Sequence, residues 1–418
     1  MARAVQQTQP AEARGPEARR AAVLAAAAQE FNAHGVGRAS FARIARELGI
    51  TRAALYYYAR DREDLVRQCY AASCAAMAVD LAAAARATGT ALDRVLAFLR
   101  ASLDPERTPA AVLSDVDYLT GAARAEIAAA HGANIARLRA LLRVGAADGS
   151  LRACDDEAVA QALVGVIAWV PLSEDWLEGK DPTYRARTVQ ALCDLVSDGV
   201  AADPARNYTP PVDARSFRPP PPGAFDREGQ AQAKVEQILA TASAIFNRRG
   251  VDGASLDEIT AALGATKGAF YHYLDNRTQL MARCYARAFE LFEAFADTGE
   301  RVGRDGLEKA LIGLWLNVQA HTLGLSPLIQ MVGVESLPAA ARADIRRRSR
   351  VLQRRFTGFS REGIAEGVTR NVDVDAVAQL GAGVFEWLPK WFDPADPRAE
   401  TALPQEYVDL FIRGLRRR

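Results

Sequence analysis

The 418-residue sequence predicts an all-α protein in which one helical unit occurs twice in tandem. Helix start and stop signals recur along the chain, and no segment shows the alternation of apolar and polar residues that is typical of strands. Matching residues recur at an offset of 215 (246 minus 31 for Phe31 and Phe246), without a gap as far as Tyr70 and Tyr285. A chain of this length can hold two domains, each with its own core.

Composition and charge exclude several classes of protein. A formal net charge of +1 neither favours nor excludes nucleic acid, because a binding face is a local property. Five scattered cysteines and four histidines without metal-ligand spacing predict no disulfide and no metal site. We also expect no cofactor. We identify no signal peptide, and the longest apolar run, near Ala162 to Leu172, is too short to span a bilayer. We therefore expect a cytoplasmic protein without a membrane partner. No nucleophile–base, metal or phosphate-loop pattern predicts an enzyme.

Two copies of one motif predict a helix-turn-helix. In the second copy Ser255 and Glu258 have the spacing of a capping box, which starts a short helix. Gly264 stands where a left-handed residue ends that helix, and Thr266 can cap the next one. The equivalent residues of the first copy are Ser40, Gly49 and Thr51. A helix over Pro16 to His34, begun by its proline, completes the first three-helix unit.

The repetition continues beyond the helix-turn-helix. Gln161 and Trp169 recur as Gln379 and Trp387 at an offset of 218 (387 minus 169), so a small insertion separates the two matched regions. Between the halves, the prolines from 203 to 223 cannot continue a helix and predict a stiff, extended spacer. The whole chain is therefore predicted to be a duplication of one two-part unit.

The two motifs resemble the TetR family of bacterial one-component regulators. The family's recognition helix ends in Leu-Tyr-x-(His/Tyr)-Phe, and the segments 55–59 (Leu-Tyr-Tyr-Tyr-Ala) and 270–274 (Phe-Tyr-His-Tyr-Leu) are similar to it. The family's closing Phe is replaced by Ala59 in the first copy and by Leu274 in the second. Since Ala59 is much smaller than a ring, looser packing is expected under the first recognition helix.

The resemblance implies that each half has an N-terminal DNA-binding domain and a C-terminal helical domain for effector binding and dimerisation. The predicted divisions are 1–15 as a disordered arm, 16–65 and 229–280 as helix-turn-helix DNA-binding domains, 66–202 and 281–418 as helical effector/dimerisation domains, and 203–228 as a Pro-rich linker. The final helix pairs, about Asp155 to Ala202 and Asp373 to Arg418, should pack as a four-helix bundle and make an intramolecular pseudo-dimer.

The resemblance also implies a set of DNA contacts. The side chains expected to face bases are Arg52, Ala53, Ala54 and Tyr57 in the first half, and Lys267, Gly268, Ala269 and His272 in the second. The residues expected to lie at phosphates are Tyr58, Arg62, Tyr273 and Arg277, with the helix-capping residues Ser40, Thr51, Ser255 and Thr266. Arg and Lys can reach guanine, and Ala and Gly leave room for a thymine methyl group.

Other residues of the two motifs and of the later helices are predicted to pack in the core or at an interface. Leu55, Tyr56, Phe270 and Tyr271 are predicted to lie in the core, because they fall on the apolar side at helical spacing. Tyr58 and Tyr273 are predicted to contact phosphate, with plain packing as the alternative. Cys69 and Cys284 are expected to be buried. Trp169 and Trp387 are expected to anchor an interface or core, with ligand stacking as the alternative.

An effector pocket is expected in the second half, because aromatic residues are concentrated among its apolar helices. The candidate lining residues are Phe292, Trp315, His321, Met331 and Trp387. Ordinary core packing explains each of these residues equally well.

The sequence thus predicts a DNA-binding transcriptional regulator, with repression favoured over activation. Its partners are double-stranded DNA and a small organic effector that releases it. One chain is expected to act as a pseudo-dimer, with further association left open. Because Arg52-Ala-Ala and Lys267-Gly-Ala differ, the operator should have two unlike half-sites. The alternative is a ligand- or protein-binding regulator in which one or both helix-turn-helix units no longer read DNA.

Overall fold

A computed structural model describes residues 15–107, 110–173, 183–251, 253–273, 276–329, 334 and 337–418. The arm predicted over residues 1–15 falls outside these ranges except for Gly15. The α-helices described in the first half are α1 (Pro16–His34), α2 (Phe41–Glu47), α3 (Arg52–Leu55), α4 (Arg62–Arg86), α5 (Ala91–Ser102), α6 (Gly121–Asp148), α7 (Asp156–Ser173) and α8 (Tyr184–Asp198).

The second half repeats this helical order after a connecting segment. Its described α-helices are α9 (Arg227–Arg249), α10 (Leu256–Ala262), α11 (Lys267–Tyr271), α12 (Arg277–Val302), α13 (Gly306–Thr322), α14 (Ala339–Ala365), α15 (Val374–Glu386), α16 (Leu388–Trp391) and α17 (Ala402–Arg413). The prediction of an all-α tandem duplication is confirmed, and α1 has the bounds that its sequence predicts.

Local sequence signals set the short helices of both reading heads, by which we mean α1–α3 and α9–α11. Ser40 Oγ accepts a hydrogen bond from Arg43 N at 3.3 Å, and Ser255 Oγ accepts one from Glu258 N at 3.1 Å. The predicted left-handed glycines follow α2 and α10, with Gly49 at φ 64° and Gly264 at φ 61°.

The capping box predicted at the start of α10 is only half formed. Ser255 caps the helix, but the carboxylate of Glu258 pairs with Arg249 of α9 at 3.1 Å. A salt bridge between neighbouring helices therefore takes the place of the expected hydrogen bond from the cap backbone. The pair helps to hold α10 against α9.

The two halves pack on each other through a four-helix bundle of α7, α8, α15 and α17. Trp169 Nε1 donates to Gln379 Oε1 at 3.1 Å, and Trp387 Nε1 donates to Gln161 Oε1 at 3.0 Å. Because the same pair of residue types bonds in both directions, the interface has the reciprocity of a two-fold dimer contact. The predicted intramolecular pseudo-dimer is thus confirmed, and both tryptophans are interface residues.

Glycines allow α7 and α15 to approach closely. A Cβ on Gly165 would lie 2.6 Å from the carbonyl oxygen of Gly383 and 2.6 Å from Trp387 Cβ. A Cβ on Gly383 would lie 2.9 Å from Val166 Cα and 3.0 Å from Trp169 Cβ. These positions do not accept a side chain without movement of the opposing helix.

Backbone hydrogen bonds beyond α8 and α17 are reciprocal as well. Val200 N donates to Phe411 O at 2.7 Å, and Leu415 N donates to Val196 O at 2.7 Å. The chain segment that leaves each half is therefore hydrogen-bonded to the last helix of the other half. These bonds close the bundle at the end from which the connecting segment departs.

The connecting segment packs on the second half, whereas the sequence predicted a stiff, extended spacer. Trp315 Nε1 of α13 donates to Val212 O at 3.1 Å, and Gln319 Oε1 accepts from Ala214 N at 2.9 Å. Ala214 has no exposed surface, and the ring of Phe217 lies 5.0 Å from that of Phe295. Val212, Ala214 and Phe217 thus pack into the second half's core, and the exposed prolines 219–221 follow them.

Two described helices, α4 and α7, are long and apolar enough to cross a membrane by length and composition alone. The most apolar window of α7 is 67% buried inside the protein, and that of α4 is 33% buried. α7 packs in the bundle, and α4 packs against α1, α5 and α6. Both helices therefore have packing partners within the fold.

Candidate nucleic-acid interface and ligand cavity

The first reading head presents α3 outward from a packed base. Leu55 is fully buried and Ala59 is 2% exposed, so the small residue that replaces the expected ring is itself part of the core. Arg52 and Ala53 are exposed, as is Tyr57, which is 90% exposed. Ala54 is half-buried. Three of the four predicted base-facing side chains of the first head are therefore exposed and available for contact.

The second reading head has the same frame but a different outward face. Phe270 is 1% exposed beneath the helix, while Lys267, Gly268 and His272 are exposed. The His272 and Tyr273 rings lie 5.0 Å apart in an edge arrangement. Ala269 lies within α11, between Gly268 and Phe270. The two heads therefore offer different hydrogen-bonding groups on similar scaffolds.

The leading cations of the two recognition helices have different surroundings. Lys267 Nζ lies 2.6 Å from Asp257 Oδ1, and hydrogen bonding to this carboxylate raises the pKa of the lysine. Ala42 occupies the position of Asp257 in the first head. Within the described residues Arg52 has no ion-pair partner. The first head therefore presents an unpaired cation, and the second presents a cation already held by a carboxylate.

Arg62 and Arg277 lie at equivalent positions and donate inside their own heads. Arg62 Nη1 donates to Gly37 O at 2.6 Å, and Arg277 Nη2 donates to Val251 O. Both guanidinium groups thus tie the start of α4 or α12 to the turn after the first helix of the head. Tyr58 and Tyr273 are half-buried. These four residues, which the sequence assigned to phosphates, lie at the packed edge of each head.

The capping hydroxyls are engaged with the backbone. Thr51 Oγ1 accepts from Ala54 N at 3.1 Å, in the same manner as Ser40 and Ser255. Thr266 directly precedes α11 and is exposed, as Thr51 is before α3. Each residue therefore stands at a helix N-terminus, where backbone N–H groups can attract a phosphate.

The prediction that Tyr56 and Tyr271 belong to the core is wrong. Their side chains are 47% and 51% exposed. Each residue lies at the end of a very short helix, beyond the residues that pack on the core. The Tyr56 ring leans on Phe41 at 5.5 Å. Helical spacing alone could not identify this exposure, since a helix of four or five residues does not define a full apolar face.

An asparagine in each half connects a reading head to the helical domain, a feature that sequence reasoning missed. Asn32 Nδ2 donates to Ala110 O at 2.9 Å, and Asn32 Oδ1 accepts from Val112 N at 2.9 Å. In the second half Asn247 makes the same two contacts, to Pro327 O at 2.8 Å and from Ile329 N at 3.0 Å. We call these pairs of hydrogen bonds the asparagine clamps.

A cavity of about 230 Å³ lies between α12, α13, α14 and α15 of the second half, and Trp169 and Val200 of the first half also contribute to its wall. Aromatic and aliphatic side chains form most of its wall, including those of Phe289, Phe292 and Phe385. Leu328 and Ile329, which belong to the segment held by the Asn247 clamp, also line it. Part of the cavity wall is thus hydrogen-bonded to α9 of the second reading head.

Of the residues predicted to line an effector pocket, Phe292 is the one among those described that lies in the wall of this cavity. Phe292 lines the cavity, whereas Trp315 binds the connecting segment, and Trp387 binds Gln161 across the interface. His321 is 8% exposed and lies nearly parallel to the Phe385 ring of the cavity wall, 6.4 Å away, without lining the cavity itself. Met331 lies outside the described residues.

Comparison with known proteins gives a consistent result for both halves. The family model "Bacterial regulatory proteins, tetR family" matches residues 23–69 and 238–284, and the model "Tetracyclin repressor-like, C-terminal domain" matches residues 93–176 and 325–415. The first pair covers the two reading heads. The second pair covers the helical domains that follow them.

Individual relatives each match one part of the chain. The Transposon Tn10 TetC protein of Escherichia coli is 33% identical over 67 residues, which are 16% of this chain and only 34% of that protein's own length. The HTH-type transcriptional repressor KstR2 of Mycolicibacterium smegmatis is 22% identical over 211 residues, or 46% of this chain and 95% of that protein.

Solved structures also match over less than half of this chain. PfmR, a TetR family transcriptional regulator from Thermus thermophilus, has 24% identity and a TM-score of 0.37, covering 43% of this chain and 99% of its own. AibR in complex with isovaleryl coenzyme A and operator DNA has 18% identity and a TM-score of 0.36, covering 42% and 97%. Because the two family models match once in each half and in the same order, the chain belongs to the TetR family of transcriptional regulators and carries two TetR-like units.

Proposed function

We propose that this chain is a repressor that reads an asymmetric operator through its two unlike recognition helices. The observation that supports this most directly is the difference between the outward faces of α3 and α11 on similar packed bases. In a homodimer the two reading heads are identical and favour a palindrome, whereas a fused pair with different heads favours unlike half-sites.

The predicted contacts divide into base reading and positioning. Arg52 and Lys267 begin the recognition helices and can reach guanine in the major groove, while Tyr57 and His272 offer a second polar group one turn later. The N-termini of α3 and α11 are suited to phosphates, together with Tyr58 and Tyr273. Arg62 and Arg277 are proposed to act at phosphates from the edge of each head while bracing its turn.

A small organic effector is proposed to bind in the cavity of the second half. The cavity is mostly apolar, as ligand sites usually are, and its wall is hydrogen-bonded to α9 through the Asn247 clamp. A ligand that shifts Leu328 and Ile329 would therefore alter how the second reading head is held. Release from DNA then follows from a change in the spacing of the two heads.

The asymmetric operator is tested by replacing one leading cation at a time. We expect Arg52→Ala and Lys267→Ala each to lose discrimination, by about 1–3 kcal/mol, in a different half-site of the same operator. Footprinting followed by gel shifts against operators changed in one half-site measures this. Arg52→Ala should cost more, because Lys267 must first leave Asp257.

Each variant is the matched control for the other, since both remove a cation from the start of a recognition helix. A perfect palindrome as the preferred operator, or loss at the same half-site in both variants, would contradict the proposal.

One observation favours a narrower function, in which only the first head reads DNA. The Lys267–Asp257 pair lowers the net positive charge that the second head presents. In that case Lys267→Ala leaves operator affinity and its salt dependence unchanged, while Arg52→Ala weakens binding. Gel shifts with operators changed in one half-site separate the two functions, because a lost base contact removes about 1–3 kcal/mol of discrimination at its half-site.

A further inference from the structure

The cavities of the two halves are chemically different. The first half has a cavity of about 170 Å³ near α4 and α5, whose wall includes Asp80 and Arg107. These two residues form a salt bridge there. The cavity of the second half, at about 230 Å³, has no Lys, Arg or His among the described residues of its wall. An anionic ligand would therefore find no counter-charge in this cavity. The wall does include the carboxyl group of Glu386, but burial raises its pKa well above the usual value, which favours its uncharged form.

Two glycines in the wall of the second-half cavity replace large core side chains of the first half. Gly313 and Gly381 line its cavity, and the residues at their positions in the first half are Phe98 and Leu163. Phe98 has no exposed surface and Leu163 is 1% exposed, so both side chains are part of the first half's core. Beside Gly313 the ring of Phe356 fills the space, since a Cβ there would clash with it. Beside Gly381 the nearest atom to an added Cβ is in Phe411 at 3.8 Å, so the volume that Leu163 fills in the first half stays open in the second.

The cavity wall carries a buried hydrogen-bond acceptor without a partner. Asn317 is 3% exposed and lines the cavity, and its Nδ2 donates to Gly313 O at 2.8 Å. Within the described residues its Oδ1 accepts no hydrogen bond. Thr369 Oγ1, also in the wall and 6% exposed, has no partner there either. A buried acceptor of this kind favours a ligand that supplies a donor.

The equivalent position in the first half is already satisfied. Ser102 takes the place of Asn317, and its Oγ donates to Asp80 Oδ2 at 3.5 Å. Asp80 in the wall of the first cavity is thus paired with both Ser102 and Arg107. The first cavity therefore offers a ligand a smaller volume and no unpaired acceptor at the position that corresponds to Asn317.

We propose that the chain binds one molecule of an uncharged, mainly apolar compound in the second half, with a hydroxyl or N–H group of the ligand donating to Asn317 Oδ1. The volume lies between the cavity of about 150 Å³ that holds one benzene and the roughly 300–1,000 Å³ of common ligand pockets. It therefore suits a compact molecule of one or two rings. This inference rests on the proposed function only in taking the second-half cavity as a ligand site.

Isothermal titration calorimetry on the intact chain tests the proposal with three probes of one skeleton: 2-naphthol, naphthalene and 2-naphthoate. We expect one 2-naphthol per chain, bound about tenfold more tightly than naphthalene, as one hydrogen bond to a buried acceptor implies. The anion 2-naphthoate should bind at least tenfold more weakly than 2-naphthol. Absence of 2-naphthol binding at millimolar concentration, two molecules per chain, or preference for the anion overturns the proposal.

Two variants locate the site. Asn317→Leu should bring the affinities for 2-naphthol and naphthalene to within twofold of each other, while its matched control Ser102→Ala keeps the tenfold preference. Gly381→Leu introduces the residue found at this position in the first half and should weaken 2-naphthol binding more than tenfold. Its new Cβ meets Phe411 at an ordinary 3.8 Å, so the fold accommodates the start of this side chain. Binding by Gly381→Leu at the wild-type level overturns the proposed location.

Gel shifts with operator DNA in parallel separate this inference from the proposed function. A chain that binds DNA but no 2-naphthol contradicts the ligand site alone. A chain that binds 2-naphthol as expected, yet stays on DNA, contradicts effector release and leaves the ligand site standing.

Discussion

The buried imidazole of His321 makes the second half sensitive to acid. Burial lowers the pKa of this histidine to about 3, and neither ring nitrogen has a hydrogen-bond partner among the described residues. The unfolded imidazole takes up a proton below about pH 6.5, whereas the buried one stays neutral until about pH 3. Between these values the unfolded state binds more protons, so stability falls as the pH falls.

We therefore expect His321→Leu to lose less stability than the wild type on acidification. Relative to pH 8, the difference at pH 5 should be about 2 kcal/mol in favour of the variant. Urea unfolding of both proteins at the two pH values measures it. Parallel losses in wild type and variant would show that this histidine does not control the acid response.

The cysteines illustrate what the sequence could predict at the scale of single residues. Cys69 and Cys284 are buried as predicted, and their Sγ atoms each point to a carbonyl of the first helix in their half, Leu24 O and Leu239 O, at 3.7 Å. Burial raises the pKa of both thiols to about 12. The repetition predicts this burial, because both copies carry the same small residue at the same place in the helix.

At the scale of helices, close approach at Gly165 is expected to control the stability of the bundle. A methyl group there meets the opposing helix at 2.6 Å, so Gly165→Ala should destabilise the chain by about 1–3 kcal/mol. Gly132 in α6 is the control, since a methyl group added to it would meet no atom of a neighbouring element within 4 Å. Gly132→Ala should instead stabilise α6 by about 0.5–1 kcal/mol. Chemical denaturation compares the two, and equal effects would contradict the steric argument.

The asparagine clamps provide a second test at this scale. Asn247→Ala removes both hydrogen bonds between α9 and the segment that lines the second-half cavity. We expect the ratio of operator affinities with and without 2-naphthol to approach one, because ligand and head no longer share a rigid connection. Asn32→Ala breaks the matching clamp of the first half and should leave this ratio unchanged. The reverse pattern would place the coupling in the first half.

Sequence signals were most informative where structure is local. Caps such as Ser255 and left-handed glycines such as Gly264 act within a few residues, and the helices begin and end where these residues predict. The packing of the connecting segment depends on Trp315 meeting Val212 from a distant helix, which no local pattern encodes. The same limitation applies to the hydrogen bond that Arg62 donates to Gly37 O, a carbonyl 25 residues earlier in the chain.

At the scale of the whole molecule, we expect one chain to be the unit that binds DNA. The bundle uses the last helices of both halves on each other, so light scattering should give the mass of a single chain, 45.1 kDa. A protease site inserted among the exposed prolines 219–221 should cut the chain without separating the halves.

The cut protein should elute with the intact one and retain operator binding. An uncut chain with a cleavage sequence in the same place is the control for the insertion. A mass of two chains for the intact protein, or separation of the halves after cleavage, would contradict this arrangement.

The reciprocal Trp169–Gln379 and Trp387–Gln161 bonds have a consequence for evolution. In an assembly of identical subunits each genetic change appears on both sides of the axis, so an improvement for one side is also imposed on the other. Fusion removes that coupling while the paired tryptophans and glutamines preserve the inherited geometry. Selection can then adjust one reading head to a new sequence, or empty one core to admit a ligand, without altering its counterpart.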